Sequence, residues 1–449
     1  MKKILIANRG EIARRIIRTC DRLGIETVAI HSEADGDLPY VSEATEAVLI
    51  GPNPVVQSYL QIEKIIEEAK KHGVDAIHPG YGLLSENADF ARKVAKAGMV
   101  FIGPSSDIIE KMGDKIESRR TMIQAGVPVV PGTEEGVATL EEALQEAEEI
   151  GYPLMLKASA GGGGIGMVRC ESEQALTQQF TSVKNRAKAY FGDDVVYLEK
   201  FIADARHIEV QIFGDHHGNL VHLYERNCSV QRRNQKVIEE SPSPHLPQDV
   251  RERLCEAALK AGRAVDYTNA GTVEFIVDPK NEFYFLEMNT RLQVEHPVTE
   301  EVTGFDLVEW QLTVADGGEL PSQDSVGTKG HAIEYRVYAE DPKTFFPSPG
   351  KLEKLQWGEG ARIETGYEEG NNVTPFYDPM ISKIIIHGTD RVDALSKSQT
   401  FFNHVTINGV KTNIPLFKEF IRSEEFISGD YATAVLPQWM EKTKEEHTL

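Results

Sequence analysis

Cysteine is scarce in this sequence: Cys20, Cys170, Cys228 and Cys255 lie far apart, and no Cys-x-x-Cys pair occurs. That spacing argues against a disulfide framework or a cysteine zinc site, and it fits a reducing cytoplasm. Basic charge is also short. Against 70 acidic residues stand 48 lysines and arginines, a formal charge of −22, so no nucleic acid and no membrane surface is expected as a partner. An anionic ligand then needs a locally basic pocket. There is no run of about 18 apolar residues, which argues against a membrane-spanning helix, and the opening MKKILIANRGE has too short an apolar stretch for a secretory signal. What remains is 41% hydrophobic and 26% charged, the composition of a globular protein able to bury sizeable cores. At roughly 150 residues per domain, the chain of 449 residues implies about three domains.

The first of these reads as doubly wound α/β. Ile4 to Ala7 is a short apolar run, and Ile12, Ile16, Ile17, Cys20 and Leu23 follow at helical spacing. Gly24 supplies a stop and residues 26–30 a second strand, completing a βαβ unit. The alternation continues through 76–78 and 100–103, with helical stretches at 59–72 and 87–97. After Asp114 the pattern changes to helix, strand and glycine-rich turn. Thr139 to Ile150 has an N-cap, an apolar stripe and Gly151 beyond its end, which predicts a helix. Strand-like runs follow at 153–157, 166–170, 194–198, 207–213 and 219–224. Beyond about residue 329, short strands at 331–338 and 381–387 and a helical tail predict an α+β domain.

The opening βαβ unit invites a dinucleotide reading, with Glu33 or Asp35 on a ribose. Only Gly10 stands where three glycines are needed, so a bare scaffold is preferred. The strongest local signal is Lys157-Ala-Ser-Ala followed by Gly161, Gly162, Gly163, Gly164, Ile165 and Gly166. Such a loop can turn its amides on a polyphosphate, and a flexible surface hairpin is the plainer alternative. Met167-Val168 replace the Lys-Ser/Thr of a P-loop, so this is not Walker A. Lys157 sits in the apolar run from Pro153 to Leu156, where a buried ammonium needs an anion; a phosphate would satisfy it.

Residues 271–297 carry the second constellation. Glu274 and Glu287 come from the two arms of a hairpin, and alternation puts Glu287, Asn289 and Arg291 on one face. Two carboxylates facing each other repel unless protonated or bridged by a cation, and with Asn289 they form a hard oxygen set suited to Mg²⁺ or Mn²⁺. A sheet edge with a solvated acidic face is the alternative. Glu295 lies about 27 Å beyond Glu287 if the chain stays extended at ~3.3 Å per residue, so it must fold back to share the site. If it does, Arg291 and Glu295 supply an anion clamp and a carboxylate base; if not, they are an exposed ion pair. The basic run from Gln231 to Lys236 reads most simply as a solvated face, and His216-His217 as solvated turn residues.

Taken together these residues resemble the biotin carboxylase family of the ATP-grasp superfamily, over nearly the whole chain. The matches run in order: Ile6-Ala-Asn-Arg-Gly-Glu-Ile-Ala13, His78-Pro-Gly-Tyr-Gly-Leu-Leu-Ser-Glu-Asn87, Phe101-Ile-Gly-Pro104, Met112-Gly-Asp-Lys115, the 157–166 loop, Glu199-Lys200, Arg206-His207-Ile-Glu209, Gln231-Arg-Arg233, Glu287-Met-Asn-Thr-Arg-Leu-Gln-Val-Glu-His-Pro297 and Pro347-Ser-Pro-Gly350. The resemblance implies an N-terminal domain over 1–113, an ATP-grasp domain over 114–328 and a C-terminal domain over 329–449. It makes Lys115 and Lys157 the phosphate lysines, Gly162, Gly163 and Gly164 the flap, and Glu199 and Lys200 the adenine hinge. His207, Gln231 and Lys236 would line the ATP and bicarbonate site, and Glu274, Glu287 and Asn289 would hold the divalent metal. Arg291, Gln293, Val294 and Glu295 match the bicarbonate-binding stretch with Glu295 as base, and Arg336 the arginine facing the biotin ureido oxygen. Ile165 departs from the family's usual Arg or Lys, Asn227 stands where Glu-Arg-Asp is usual, and Tyr338 where Arg-Ile-Asn-Ala-Glu is usual.

The implied activity is ATP-dependent carboxylation of biotin by bicarbonate through carboxyphosphate. The length resembles the free-standing subunit of a bacterial acetyl-CoA carboxylase, which serves malonyl-CoA and fatty acid synthesis. No Met-Lys-Met attachment sequence is present, so biotin is expected on a separate biotin carboxyl carrier protein, with carboxyltransferase subunits as further partners and a homodimer as the assembly. The alternatives are a component of another acyl-CoA carboxylase, another ATP-grasp ligase that passes an acyl phosphate to an amine, and a subunit that binds ATP without chemistry.

Overall fold

The short, largely apolar strands of the first third need cover on both faces, and amphipathic helices supply it. In the computed structural model, which describes residues 1–159 and 166–446, β1 (Lys3–Ile6), β2 (Glu26–Ser32), β3 (Glu46–Gly51), β4 (Ala76–His78) and β5 (Val100–Phe101) form a parallel sheet in the order β3-β2-β1-β4-β5. The helix Gly10–Leu23 follows β1 and ends on Gly24 at φ +70°, the left-handed stop that glycine adopts without strain. Strand order reverses between β1 and β4, the position where such sheets open a ligand crevice. There the Asn8 amide donates to the carbonyls of Pro79 and Tyr81, and Gly80 at φ +61° lets the two loops touch: a Cβ would sit 2.8 Å from Asn8 Nδ2. Asp35, considered for a ribose, is instead buried against Arg9 and the Tyr59 hydroxyl.

A small antiparallel sheet follows, in which β6 (Leu154–Ala158) is flanked by β7 (Met167–Cys170) and β8 (Val196–Lys200). The helix Leu140–Ile150 packs on it and begins with the expected cap, Thr139 and Glu142 exchanging hydrogen bonds with each other's backbone. Leu154, Leu156, Leu176, Val183, Val196 and Leu198 form its core.

The remaining strands are β9 (Arg206–Gly214), β10 (Leu220–Arg232), β11 (Gln235–Ser241), β12 (Asn269–Val277), β13 (Phe283–Asn289), β14 (His331–Tyr338), β15 (Gly350–Lys351), β16 (Lys354–Gln356), β17 (Arg362–Thr365), β18 (Asn372–Val373), β19 (Met380–Gly388) and β20 (Thr406–Asn408). Eight of them make one antiparallel sheet, β13-β12-β9-β10-β11-β14-β19-β17, which runs without a break past residue 329. Its core continues from Ile12, Ile16 and Ile17 of the first helix to Phe401, Phe402 and Phe417 near the C-terminus. The ends of the chain therefore brace the middle strands that carry the site.

One expectation needs correction here. The basic run from Gln231 is solvated only in its middle: β10 extends through Arg232, Gln231 and Arg232 are buried and Lys236 is half-buried, while Arg233, Asn234 and Gln235 are exposed. Arg233 and Asn234, both at positive φ, make the two-residue turn into β11. Arg232 is internal because Glu340 pairs with its guanidinium, with Nη2 2.9 Å from Oε2, and Phe345 stacks 4.1 Å from its centre. Among the described residues no helix is long and apolar enough to cross a membrane, and all four cysteines are buried and free.

Candidate active site

Pairing of β12 with β13 sets Glu274 directly opposite Glu287, on one face of the sheet. The Lys236 ammonium, arriving from β11, joins this face to its neighbours. Four acceptors surround its three N–H bonds: Glu274 Oε1 at 2.9 Å, Glu209 Oε2 at 2.6 Å, Glu295 Oε1 at 2.7 Å and Gln293 Oε1 at 3.1 Å. Behind it the fully buried Arg226 holds the other Glu209 oxygen at 2.5 Å and reaches Gln211, Thr272 and Thr299. Burial works to strip Lys236 of its proton, but three carboxylates outweigh it and keep the ammonium charged.

The chain leaves β13 at Asn289 and bends, so that Glu295, standing just before the helix His296–Thr303, turns its side chain back to the sheet. Glu295 is buried; Oε1 takes the Lys236 ammonium and Oε2 accepts from Arg336 Nη2 at 3.0 Å. Burial would raise its pKa, yet Lys236, Arg336 and Arg226 outweigh that and hold it well below the usual carboxylate range. The bend is fixed on both sides. The Gln293 amide donates to Glu274 Oε1 at 2.9 Å, and the buried Lys383 ammonium donates to the Val294 carbonyl at 2.7 Å. Arg291 is gripped by Glu86 through Nε at 2.9 Å and donates from Nη2 to Asn289 Oδ1 at 2.9 Å.

On the nucleotide side, Lys115 starts the helix Lys115–Gln124 and lies 3.7 Å from Glu287. Lys157 is buried, as its apolar run requires, and its counter-charge within the chain is Glu199, which it contacts closely. The phosphate expected to satisfy it would have to compete with that carboxylate. Arg119 adds a second cation 3.4 Å from the other Glu199 oxygen. The Lys200 ammonium is spent on the carbonyls of Gly151 and Tyr152, so this residue offers a hinge only its backbone. His207 places Nε2 2.8 Å from Glu274 Oε2, and Gln231 Nε2 lies 2.8 Å from its Nδ1. Gly162, Gly163, Gly164 and Ile165 lie outside the described residues.

Glu274, Glu287 and Asn289, which share one face of the β12–β13 pair, are the hard oxygen donors that would hold a divalent cation. Burial would raise the Glu274 carboxyl, but Lys236 and His207 keep it well below the usual range, as a ligand carboxylate must be. Asn289 turns its Nδ2 to Glu274 Oε1 at 2.9 Å, so it would rotate its amide to ligate through Oδ1. Ligand atoms of His207, Glu209 and Glu274 also converge within 4.8 Å of one another, and there Lys236 supplies the positive charge.

Comparison with known proteins shows the family. Residues 1–109 match the model for the biotin carboxylase N-terminal domain, 114–323 that for the ATP-binding domain of the carbamoyl-phosphate synthase L chain, and 334–438 that for the biotin carboxylase C-terminal domain. Biotin carboxylase 2 of Bacillus subtilis is 58% identical over 97% of this chain and 99% of its own. The chain belongs to the biotin carboxylase family. The alpha subunit of rat mitochondrial methylcrotonoyl-CoA carboxylase is 51% identical over 97% of this chain, which spans 62% of that protein. The biotin carboxylase domain dimer of the Hydrogenobacter thermophilus 2-oxoglutarate carboxylase, solved with MgADP, ADP and bicarbonate, has a TM-score of 0.95 and 46% identity, covering 97% of both chains.

Read as a biotin carboxylase site, the structure adds residues that motif reading missed. Glu86 anchors Arg291, Glu209 and Arg226 carry the charge beneath Lys236, and Arg119 shares Glu199 with Lys157. Glu239 lies 2.5 Å from Arg336 Nη2. Glu86 and Glu209 stand inside quoted motifs, so those motifs were the available signal. Arg226 and Glu239 show their role only once β10 and β11 are placed in the sheet.

Proposed function

We infer that this chain carboxylates biotin at the expense of ATP and bicarbonate, on a biotin carboxyl carrier protein, as the first half-reaction of an acyl-CoA carboxylase such as acetyl-CoA carboxylase. The observation that carries the reading is the placement of one buried carboxylate, Glu295, between the Lys236 ammonium and the Arg336 guanidinium, beside the Glu274–Glu287 face. In the resting site the cations rest on the base and hold its proton affinity down. Bicarbonate held by Arg291 and Lys236 would draw the ammonium off Glu295 and so restore basicity where the substrate proton lies. The anion so formed would be aligned with the γ-phosphate that Lys115 and Lys157 hold, giving carboxyphosphate. Mg²⁺ or Mn²⁺ on Glu274, Glu287 and Asn289 would neutralise charge developing on the transferred phosphoryl group. Carboxyphosphate would release CO₂ and phosphate; phosphate would take the ureido proton, and Arg336 would bear the negative charge on the ureido oxygen while the nitrogen captures CO₂.

We also assign the chain three functional units, 1–113, 114–328 and 329–449, a homodimeric assembly, carboxyltransferase partners on other chains and a cytoplasmic setting. A carboxylase for another acyl-CoA is the second reading, supported by the 51% identity to the methylcrotonoyl-CoA carboxylase subunit. The deciding experiment is transfer of radiolabelled bicarbonate to free biotin, with ATP and Mg²⁺ omitted in turn. Label on biotin only in the complete mixture supports the activity. ATP turnover driven by an amine acceptor and indifferent to biotin refutes it.

A further inference from the structure

Glu239 on β11 and Glu334 on β14 are register partners, so their side chains leave the same face of the sheet. Both are fully buried, and neither oxygen of Glu334 has a hydrogen-bond partner among the described residues. The surroundings are dry on one side: the helix His296–Thr303 lays Val298 and Val302 over Ala332 and Ile385, beside Glu334. The cations nearby are committed elsewhere. Lys383 serves the Val294 carbonyl and, at 3.1 Å, Glu11; Lys236 serves Glu209, Glu274 and Glu295. Among the described residues the one ion pair made to either carboxylate is that of Arg336, its Nη2 lying 2.5 Å from Glu239 Oε1 and 3.0 Å from Glu295 Oε2, while Lys383 acts on Glu334 through its charge without pairing to it. The Cys228 thiol on β10, 3.8 Å from Glu295 Oε1, is kept neutral by burial.

Two like charges held side by side out of water, with one paired cation that they share with a third carboxylate, are not stable. We propose that Glu239 and Glu334 hold one proton between them, and that the single charge left on Glu239 makes it the positioning residue for Arg336. Burial is the largest influence on both groups, carrying Glu334 well above the usual carboxylate range and Glu239 up to about 7. Entry of a second proton therefore removes one of the two anchors of Arg336 near neutrality. The pair is separate from the metal-binding face, and its charge is set by β11, β14 and the helix that covers them.

The test is infrared spectroscopy of the full chain in D₂O, read for the carbonyl stretch of neutral carboxyl groups between about pH 6 and about pH 9. A neutral-carboxyl signal that persists at the alkaline end and disappears in Glu334→Gln is expected, with a second component, titrating near neutrality, absent from Glu239→Gln. A spectrum that Glu334→Gln leaves unchanged overturns the proposal. Should that variant not fold, Glu334→Asp keeps the ionisable group and must shift the signal; an unshifted signal also overturns it. A kinetic arm rests on the reading of Arg336 as the partner of biotin. Wild-type biotin-dependent turnover falls as pH drops through neutrality, whereas Glu239→Gln is about tenfold slower and flat over that range, with KM for ATP unchanged. A wild-type acid limb surviving in Glu239→Gln counts against the pair. Absence of biotin-dependent turnover in the wild type counts against the function alone, and the spectra then decide the proton.

Discussion

The Lys236 ammonium lies 2.7 Å from Glu295 Oε1, so the proposed base is neutralised at rest by a group expected to bind its substrate. Replacing Glu295 by Ala removes the proposed proton acceptor yet leaves Lys236 paired with Glu209 and Glu274, so the site keeps its shape. Bicarbonate-dependent ATP turnover should fall by about a hundredfold or more, the scale of a lost general base, while ATP affinity stays within about threefold. Stopped-flow phosphate release and calorimetric ATP titration read the two quantities. A fully active variant would remove Glu295 from the chemistry.

Glu287 faces Glu274 across the strand pair but is a third exposed, with Lys115 at 3.7 Å. Its loss should therefore cost metal more than fold. In Glu287→Gln the Mg²⁺ concentration for half-maximal turnover should rise about tenfold or more, with the thermal midpoint within about 2 °C of the wild type. An unchanged Mg²⁺ requirement would show that Glu287 holds no metal.

How much of this was legible beforehand depends on how far apart in sequence the partners lie. The Glu274–Glu287 pair comes from adjacent arms of one hairpin, and the alternation of β12 and β13 is enough to predict it. The return of Glu295 to the site depends on a bend after β13 that no periodicity encodes. Glu209 meets Glu274 because β12 pairs with β9, and Glu239 meets Glu334 because β11 pairs with β14. Those neighbours are separated by long stretches of chain, and local propensity carries no information about strand order. Lys157 shows the same limit in another form. Its apolar run correctly demanded an anion, but that Glu199 provides one depends on β6 lying beside β8.

Arg291 reaches across to Glu86, a residue of the N-terminal unit, and Glu86 also accepts from the Thr290 backbone at 3.1 Å. The contact is partly exposed, with the Glu86 side chain at 41%, so it is worth no more than about 1 kcal/mol. Glu86→Ala should raise KM for bicarbonate up to about fivefold with KM for ATP unchanged. Arg291→Ala, which deletes the guanidinium itself, should cost at least about ten times more in kcat/KM for bicarbonate. Steady-state kinetics with bicarbonate varied in CO₂-free buffer checks both. Equal effects of the two substitutions would mean that the clamp acts through Glu86.

Glu240 ties the C-terminal unit to β11. It is fully buried, accepts from His331 at 2.6 Å and from Arg391 at 2.7 Å, and takes the Tyr431 hydroxyl. Burial alone would raise its pKa, but His331 and Arg391 outweigh it and bring the carboxyl from 4.5 down to about 2. A carboxyl depressed on folding stabilises the protein fully above its unfolded value, and that stability is lost as pH falls from about 4.5 towards about 2. The shift corresponds to about 3 kcal/mol. Glu240→Gln should therefore lower stability by about 3 kcal/mol at neutral pH and by much less at about pH 2.5, where wild-type Glu240 is gaining its proton. Urea unfolding at the two pH values, followed by the fluorescence of Trp439 and its neighbours, measures the difference. A destabilisation of equal size at both would mean that packing around the side chain, and not its charge, holds the C-terminal unit in place.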